Sequence, residues 1–153
     1  MSDVVETFWQ EFLEARPRVP RDTPYQKWYF GNSEEMARDL ARLVIAGQKM
    51  ATASLVAVNK IKPHEAPIIG GYSVVTYFDG SPACVIRTLE ICEMPFDQVD
   101  ERFAADEGEG DLSLEWWRDA HRSYFLKESG ELGIEFTEDS LVCCERFVCL
   151  YPR

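Results

Sequence analysis

Apolar residues at the start of this chain recur at helical spacing. Val4, Val5, Phe8, Trp9, Phe12 and Leu13 share one face, which predicts a helix over residues 3–15, with Asp3 and Glu6 as a candidate capping pair. Pro17, Pro20 and Pro24 then impose a non-helical connector, and an aromatic segment from Tyr25 to Phe30 stops at Gly31. A second helix is predicted from Asn32, with Glu35 completing a capping box and Met36, Leu40, Leu43 and Val44 as its buried stripe. Gly47 supplies a left-handed stop. Residues 51–58, ATASLVAV, read as a buried strand, and 59–71, with Pro63, Pro67 and the Gly70-Gly71 pair, as a loop.

The period changes after residue 71. Gly71–Phe78 and Ala83–Cys92 are strand-like runs around Asp79-Gly80-Ser81-Pro82, which predicts a β-hairpin. Met94-Pro95-Phe96 ends it, and a short helix is expected over Phe96–Phe103. The acidic run DEGEGD at 106–111 has nothing to pack and reads as loop. Ser113 is placed to cap a third helix to about Glu128, with Leu112 and Trp117 as a hydrophobic staple, and Gly130 and Gly133 close that region. Residues 140–151 return as a final strand. The strands cluster without regular strand–helix alternation. The expected class is therefore α+β, a small mixed or antiparallel β-barrel with flanking helices.

Composition narrows the function classes. The 153 residues, 46% hydrophobic and 28% charged, suffice for one domain with a core. No run approaches the ~20 apolar residues of a membrane span. The N-terminus, MSDVVETFWQEF, is acidic where a secretory signal is basic, so a cytoplasmic location and no membrane partner are expected. Acids outnumber bases 27 to 16, for a net charge of -11. That balance opposes binding to long duplex nucleic acid by counterion release, and leaves a nucleoside or short single-stranded RNA in a local cleft as the partner. The five cysteines form no Cys-x-x-Cys pair, and only His64 and His121 accompany them. No metal site and no cofactor are expected, and the thiols read as reduced and mostly buried.

Candidate chemistry concentrates where the second helix should end. Within Gly47-Gln48-Lys49-Met50-Ala51-Thr52-Ala53-Ser54, an extended chain puts Thr52 and Ser54 on one face. Lys49 acts as base toward a hydroxyl nucleophile if burial or neighbours lower its pKa toward neutrality. The same spacing also describes a helix cap followed by a strand with a solvated lysine. The 106–111 run has three readings: a Ca²⁺ loop lacking the usual ligand spacing, a solvated turn, or the source of a carboxylate facing a cleft. His121, near Trp117 and Tyr124, fits a packed core histidine or a catalytic one. Trp28, Phe30, Trp116, Trp117, Tyr124 and Phe125 offer rings for base stacking, although most of the 12% aromatic residues must be core. There is no Ser-His-Asp elbow, dinucleotide fingerprint or phosphate-binding loop.

Taken in order, four segments resemble those of ASCH domains, over about residues 28–151: WYFGNSEEMARDLARLVIAGQKMATAS, GGYSVVTYFDGSPACVIRTLEICEMPFDQVD, DEGEGDLSLEWWRDAHRSYF and LVCCERFVCLY. The chain is similar to the bacterial subgroup with an N-terminal helical extension. That similarity divides it into an extension, 1–27, and an ASCH domain, 28–153, expected to form one compact unit. The resemblance implies a PUA-like fold and RNA-directed members, some of them ribonucleases. It also implies kinship to a smaller amidohydrolase of N4-acetylcytidine that uses a Gly-x-Lys-x-x-Thr motif and a glutamate in the acidic turn. Carried over, Lys49, Thr52 and Glu109 are implied to be catalytic, with Glu107 the neighbouring alternative. Phe30, Gly31, Ser54, Glu107, Trp117, His121 and Tyr124 are the implied substrate-binding residues. The extension, the longer aromatic helix and Met50-Ala51 inside the motif are departures from that relative. The expected function is a nucleoside- or RNA-directed hydrolase. The alternatives are a non-catalytic binding module and a protein whose acidic surface meets a basic partner.

Overall fold

The computed structural model describes residues 3–152. Helix α1, Val4–Ala15, begins at Asp3, whose carboxylate accepts from the Val5 and Glu6 amides. Strand β1 is Tyr25–Trp28, and it spans the expected division at 27/28. Helix α2, Glu34–Ile45, is capped by Ser33, one residue later than expected. Its buried residues are Ala37, Ala41 and Val44, whereas Met36, Leu40 and Leu43 are only half-buried. The predicted stripe is displaced because the two alanines let the helix lie close to the sheet, with the longer side chains flanking the contact.

Strand β2 is Ala51–Leu55, and the expected strand then turns into helix α3, Val56–Ile61. A continuous apolar run does not distinguish strand from helix, and in the helix Val56 and Val58 still reach the interior. A 3₁₀ turn at Pro63–Glu65 replaces part of the predicted loop. Strands β3, Tyr72–Thr76, and β4, Pro82–Pro95, form the predicted hairpin, with Gly80 at φ +90° in its turn. The short helix is corrected to a 3₁₀ turn, Phe96–Gln98, followed by α4, Glu101–Glu107. Asp106 and Glu107, expected in the loop, thus end a helix that Asp100 caps and Gly108 stops at φ +69°. Helix α5, Leu114–Leu132, starts at the Ser113 cap and runs through Gly130 to Gly133. Strand β5 is Leu141–Tyr151.

The sheet order is β1-β3-β4-β5-β2. β1 pairs with β3 in parallel, and the other ladders are antiparallel. β1 and β2 are therefore the two edges. No ladder joins them among the described residues, so the expected barrel is left open. Period-two alternation along the hairpin places α1 and α2 on opposite faces. Val74 and Val85 pack with Trp9, Phe12 and Leu13 of α1, while Val75, Cys84 and Ile86 pack with Ala41 and Val44 of α2. A third cluster joins Phe103 of α4 and Trp117 and Phe125 of α5 to Ala51, Leu55, Phe96, Val142 and Cys144.

Candidate functional site

The segment after α2 is clamped from both sides. The Gln48 and Lys49 amides bond the Leu43 carbonyl, closing the helix end around Gly47. The Gln48 side chain donates to the Gly108 carbonyl at 2.7 Å, and the Met50 amide donates to the Asp106 carbonyl at 2.8 Å. These bonds join the ends of α2 and α4 and turn Lys49 inward, where it is 1% exposed. Its ammonium donates to Glu109 Oε2 at 2.6 Å, Glu107 Oε1 at 2.9 Å and the Ala51 carbonyl at 2.9 Å. It also stands 5.4 Å from the Phe30 ring centroid.

Glu107 is buried and uses both oxygens. Its Oε2 accepts from Trp117 Nε1 and lies 3.0 Å from His121 Nε2. His121 Nδ1 is 2.9 Å from the Trp117 carbonyl, so both ring nitrogens meet acceptors, an arrangement only the imidazolium satisfies. Burial by itself lowers the pKa of Lys49, but the Glu107 and Glu109 carboxylates outweigh it and raise the pKa above its ordinary value. His121 is raised in the same way, burial being overcome chiefly by Glu107. Burial by itself raises the pKa of Glu107, yet Lys49 and His121 hold it well below the usual carboxylate range. Two cations and two anions thus form a balanced tetrad. The expected neutral, basic Lys49 is corrected to an ammonium whose three N–H groups are engaged.

Above the tetrad is a cavity of about 110 Å³ whose walls include Phe30, Gly31, Lys49, Thr52, Glu107, Glu109, His121 and Tyr124. Glu109 is 15% exposed and so is the accessible carboxylate of the pair. Through Phe30, Gly31, Thr52, Ala53 and Tyr124 the cavity shares walls with a chamber of about 150 Å³. That chamber adds Gln26 and Trp28 of β1, Ser54 of β2, Ser73 of β3 and Glu145 of β5. Both edges of the open sheet therefore line one cleft. An outer groove of about 680 Å³ continues from it, with Lys27 and Lys62 opposed by Glu65, Glu128 and Glu131.

Most of the residues named from the sequence meet here. Thr52 lines both inner chambers, although the Lys49 hydrogen bonds go to other partners. Ser54 lies one chamber further along and accepts from Asn59 at 3.0 Å. Trp117 is not part of the wall. It lies behind Glu107 and stacks on His121 with centroids 4.2 Å apart. Glu145 was not singled out from the sequence, although a carboxylate sharing a strand face with Cys143 and Phe147 is a signal.

The Ca²⁺-loop reading of 106–111 is overturned by the divergence of its carboxylates. Asp106 pairs with Arg146, Asp111 accepts from the Ser113 amide, and Glu107 and Glu109 turn to Lys49. Glu107, Glu109 and His121 do bring ligand atoms within 4.8 Å of one another. A divalent ion there would compete with the Lys49 ammonium for the same oxygens.

Comparison with known proteins places this site in context. A family model described as the ASCH domain matches residues 26–151. The structure is similar to that of an ASCH domain from Lactobacillus crispatus JV V101, with TM-score 0.88 and 38% identity over 99% of this chain and 96% of that one. It is also similar to protein EF3133 from Enterococcus faecalis V583, with TM-score 0.84 and 34% identity over 97% of this chain and 90% of that one. The search of curated proteins gave no match.

Proposed function

The chain belongs to the ASCH domain family, and from that premise we propose that it hydrolyses an acylated nucleoside of the N4-acylcytidine type. The observation that carries this reading is a fully buried, ion-paired lysine at the floor of a cavity that it shares with a threonine and a partly exposed glutamate. Thr52 is the nucleophile, forming a bond to the acyl carbon. Lys49, being an ammonium, is an acid rather than a base. It stabilises the developing oxyanion and, as the C–N bond breaks, gives a proton to the departing nitrogen. Glu109 and Glu107 hold that ammonium in place. Phe30 and Tyr124 supply ring surfaces for the base. The acidic residues of the outer groove and the net charge of -11 favour a small uncharged ligand over a polyanion.

A second reading, a non-catalytic binding module for a modified nucleoside or short RNA, is favoured by one observation: the Lys49 hydrogen bonds do not include Thr52. Turnover assays of wild type and Lys49→Ala on N4-acetylcytidine and short RNAs separate the two. Release of cytidine and acetate by wild type, reduced at least ~100-fold in a folded Lys49→Ala, is the expected result. Equal turnover by both excludes a Lys49 mechanism, and saturable binding without product establishes the module.

A further inference from the structure

With Lys49 held as an ammonium, the reaction proposed above lacks a group to take the threonine proton. Four carboxylates line the inner chambers, and one of them, Glu65, is half exposed and lies 4.0 Å from the Lys62 ammonium. Glu107 is committed on both oxygens, and Glu109 is bonded to Lys49 at 2.6 Å. Glu145 is different. It is 6% exposed, lines the 150 Å³ chamber, and makes no ion pair among the described residues. Its hydrogen bond is to Thr88 Oγ1, which donates to Oε2 at 2.6 Å.

Register places it beside the nucleophile. Thr52 and Glu145 are direct cross-strand partners on β2 and β5. Such partners point to the same face with Cβ atoms roughly 4.5–5.5 Å apart. Both line the same chamber. A carboxyl this buried, held by one hydroxyl and no ion pair among the described residues, is a candidate for chemistry in the chamber it lines.

We propose that Glu145 is a further catalytic residue, the general base that takes the hydroxyl proton of Thr52. This inference rests on the acylated-nucleoside reading. In acylation the Thr52 proton moves to Glu145 as Oγ1 bonds the acyl carbon. Lys49 protonates the departing nitrogen, and the C–N bond breaks. In deacylation a water adds to the acyl-threonine ester and its proton restores the Lys49 ammonium. Thr52 leaves with the proton held on Glu145, and the products are the free amine and the carboxylic acid. Atoms and charges balance with water as the one co-reactant.

The environment suits a base. Burial raises the pKa of Glu145, and its bond from Thr88 and the charge of Lys49 only partly offset this; a higher pKa makes a stronger proton acceptor. Other titratable groups facing the chamber are Glu65 from the 3₁₀ turn, Tyr29 after β1 and Tyr124 of α5.

The test is the pH dependence of kcat/KM on N4-acetylcytidine for wild type and Glu145→Gln, with thermal unfolding as the fold control. Gln keeps the volume and the acceptor for Thr88. The expected result is a loss of ~100- to 10,000-fold and disappearance of the acidic limb, with an unfolding midpoint close to wild type. An active wild type with a variant that retains both rate and limb overturns the Glu145 role and leaves the functional reading intact. A wild type inactive on every acylated nucleoside overturns the functional reading itself. If Glu145→Gln does not fold, Glu145→Asp decides. A reduced rate with a shifted limb supports the role, and an unchanged profile overturns it.

Discussion

At the scale of single residues, the decisive event is the inversion of Lys49. From the sequence, burial next to a hydroxyl suggested a lysine made neutral. The fold instead surrounds it with two carboxylates that arrive from the end of α4, nearly sixty residues away. The lysine was legible beside Gly47 at the predicted end of a helix, and the glutamates only through the resemblance of the acidic turn to that of ASCH domains. Their protonation was not, because it depends on which charges the fold assembles. The tetrad has a testable pH signature. His121 is raised above its ordinary value of 6.5, so its stabilising contribution is complete below that pH and drains away as pH rises through the folded value. Glu107 is depressed below 4.5, so its contribution is present above that pH and is lost as pH falls toward the folded value. Lys49, raised above 10.5, adds no slope in between. Unfolding midpoints measured from about pH 5 to about pH 9 are expected to decline more steeply in wild type than in His121→Gln, which keeps the slope from Glu145, itself raised by burial. At the acid end the variant should be less stable by about 1.5–3 kcal/mol, the size of a hydrogen bond to a charged group.

At the scale of elements, caps and turns were the most legible features. Asp3, Ser113 and the Asp79–Pro82 turn act locally, and each is found where its own chemistry put it. Apolar or acidic runs were less legible because their meaning is set by what they meet. ATASLVAV divides into strand and helix, and DEGEGD divides between the end of α4 and a turn. Gly108 shows how closely the two helix ends meet. A Cβ there would stand 2.3 Å from the Gln48 carbonyl oxygen, and φ is +69°. Gly80, at φ +90° in the hairpin turn, has nothing within 4 Å of such a Cβ. Both Ala substitutions should cost the backbone strain of about 1–3 kcal/mol. Gly108→Ala should cost more and should also displace the Gln48–Met50 segment. Urea unfolding of the two variants, with activity measured alongside, checks this. Gly108→Ala is expected to lose both stability and turnover, and Gly80→Ala stability alone.

At the scale of the whole molecule, the α+β class follows from the clustering of strands, but closure of the sheet does not. Hydrophobic alternation specifies which face of a strand is buried and says little about whether the first and last strands of a sheet meet. Here they do not, and the cleft occupies the interval between β1 and β2. A bound ligand would act as a keystone, touching two strands that three others separate in the sheet. Edge-strand amides are the ones most readily opened to solvent, so occupancy should register in hydrogen exchange. On saturation with N4-acetylcytidine or a non-hydrolysable analogue, amides of residues 25–28 and 51–55 are expected to slow together, while those of α1 stay unchanged. The unfilled interval that denies this sheet its barrel would then make the ligand itself part of the architecture, with stability that rises with the logarithm of ligand concentration.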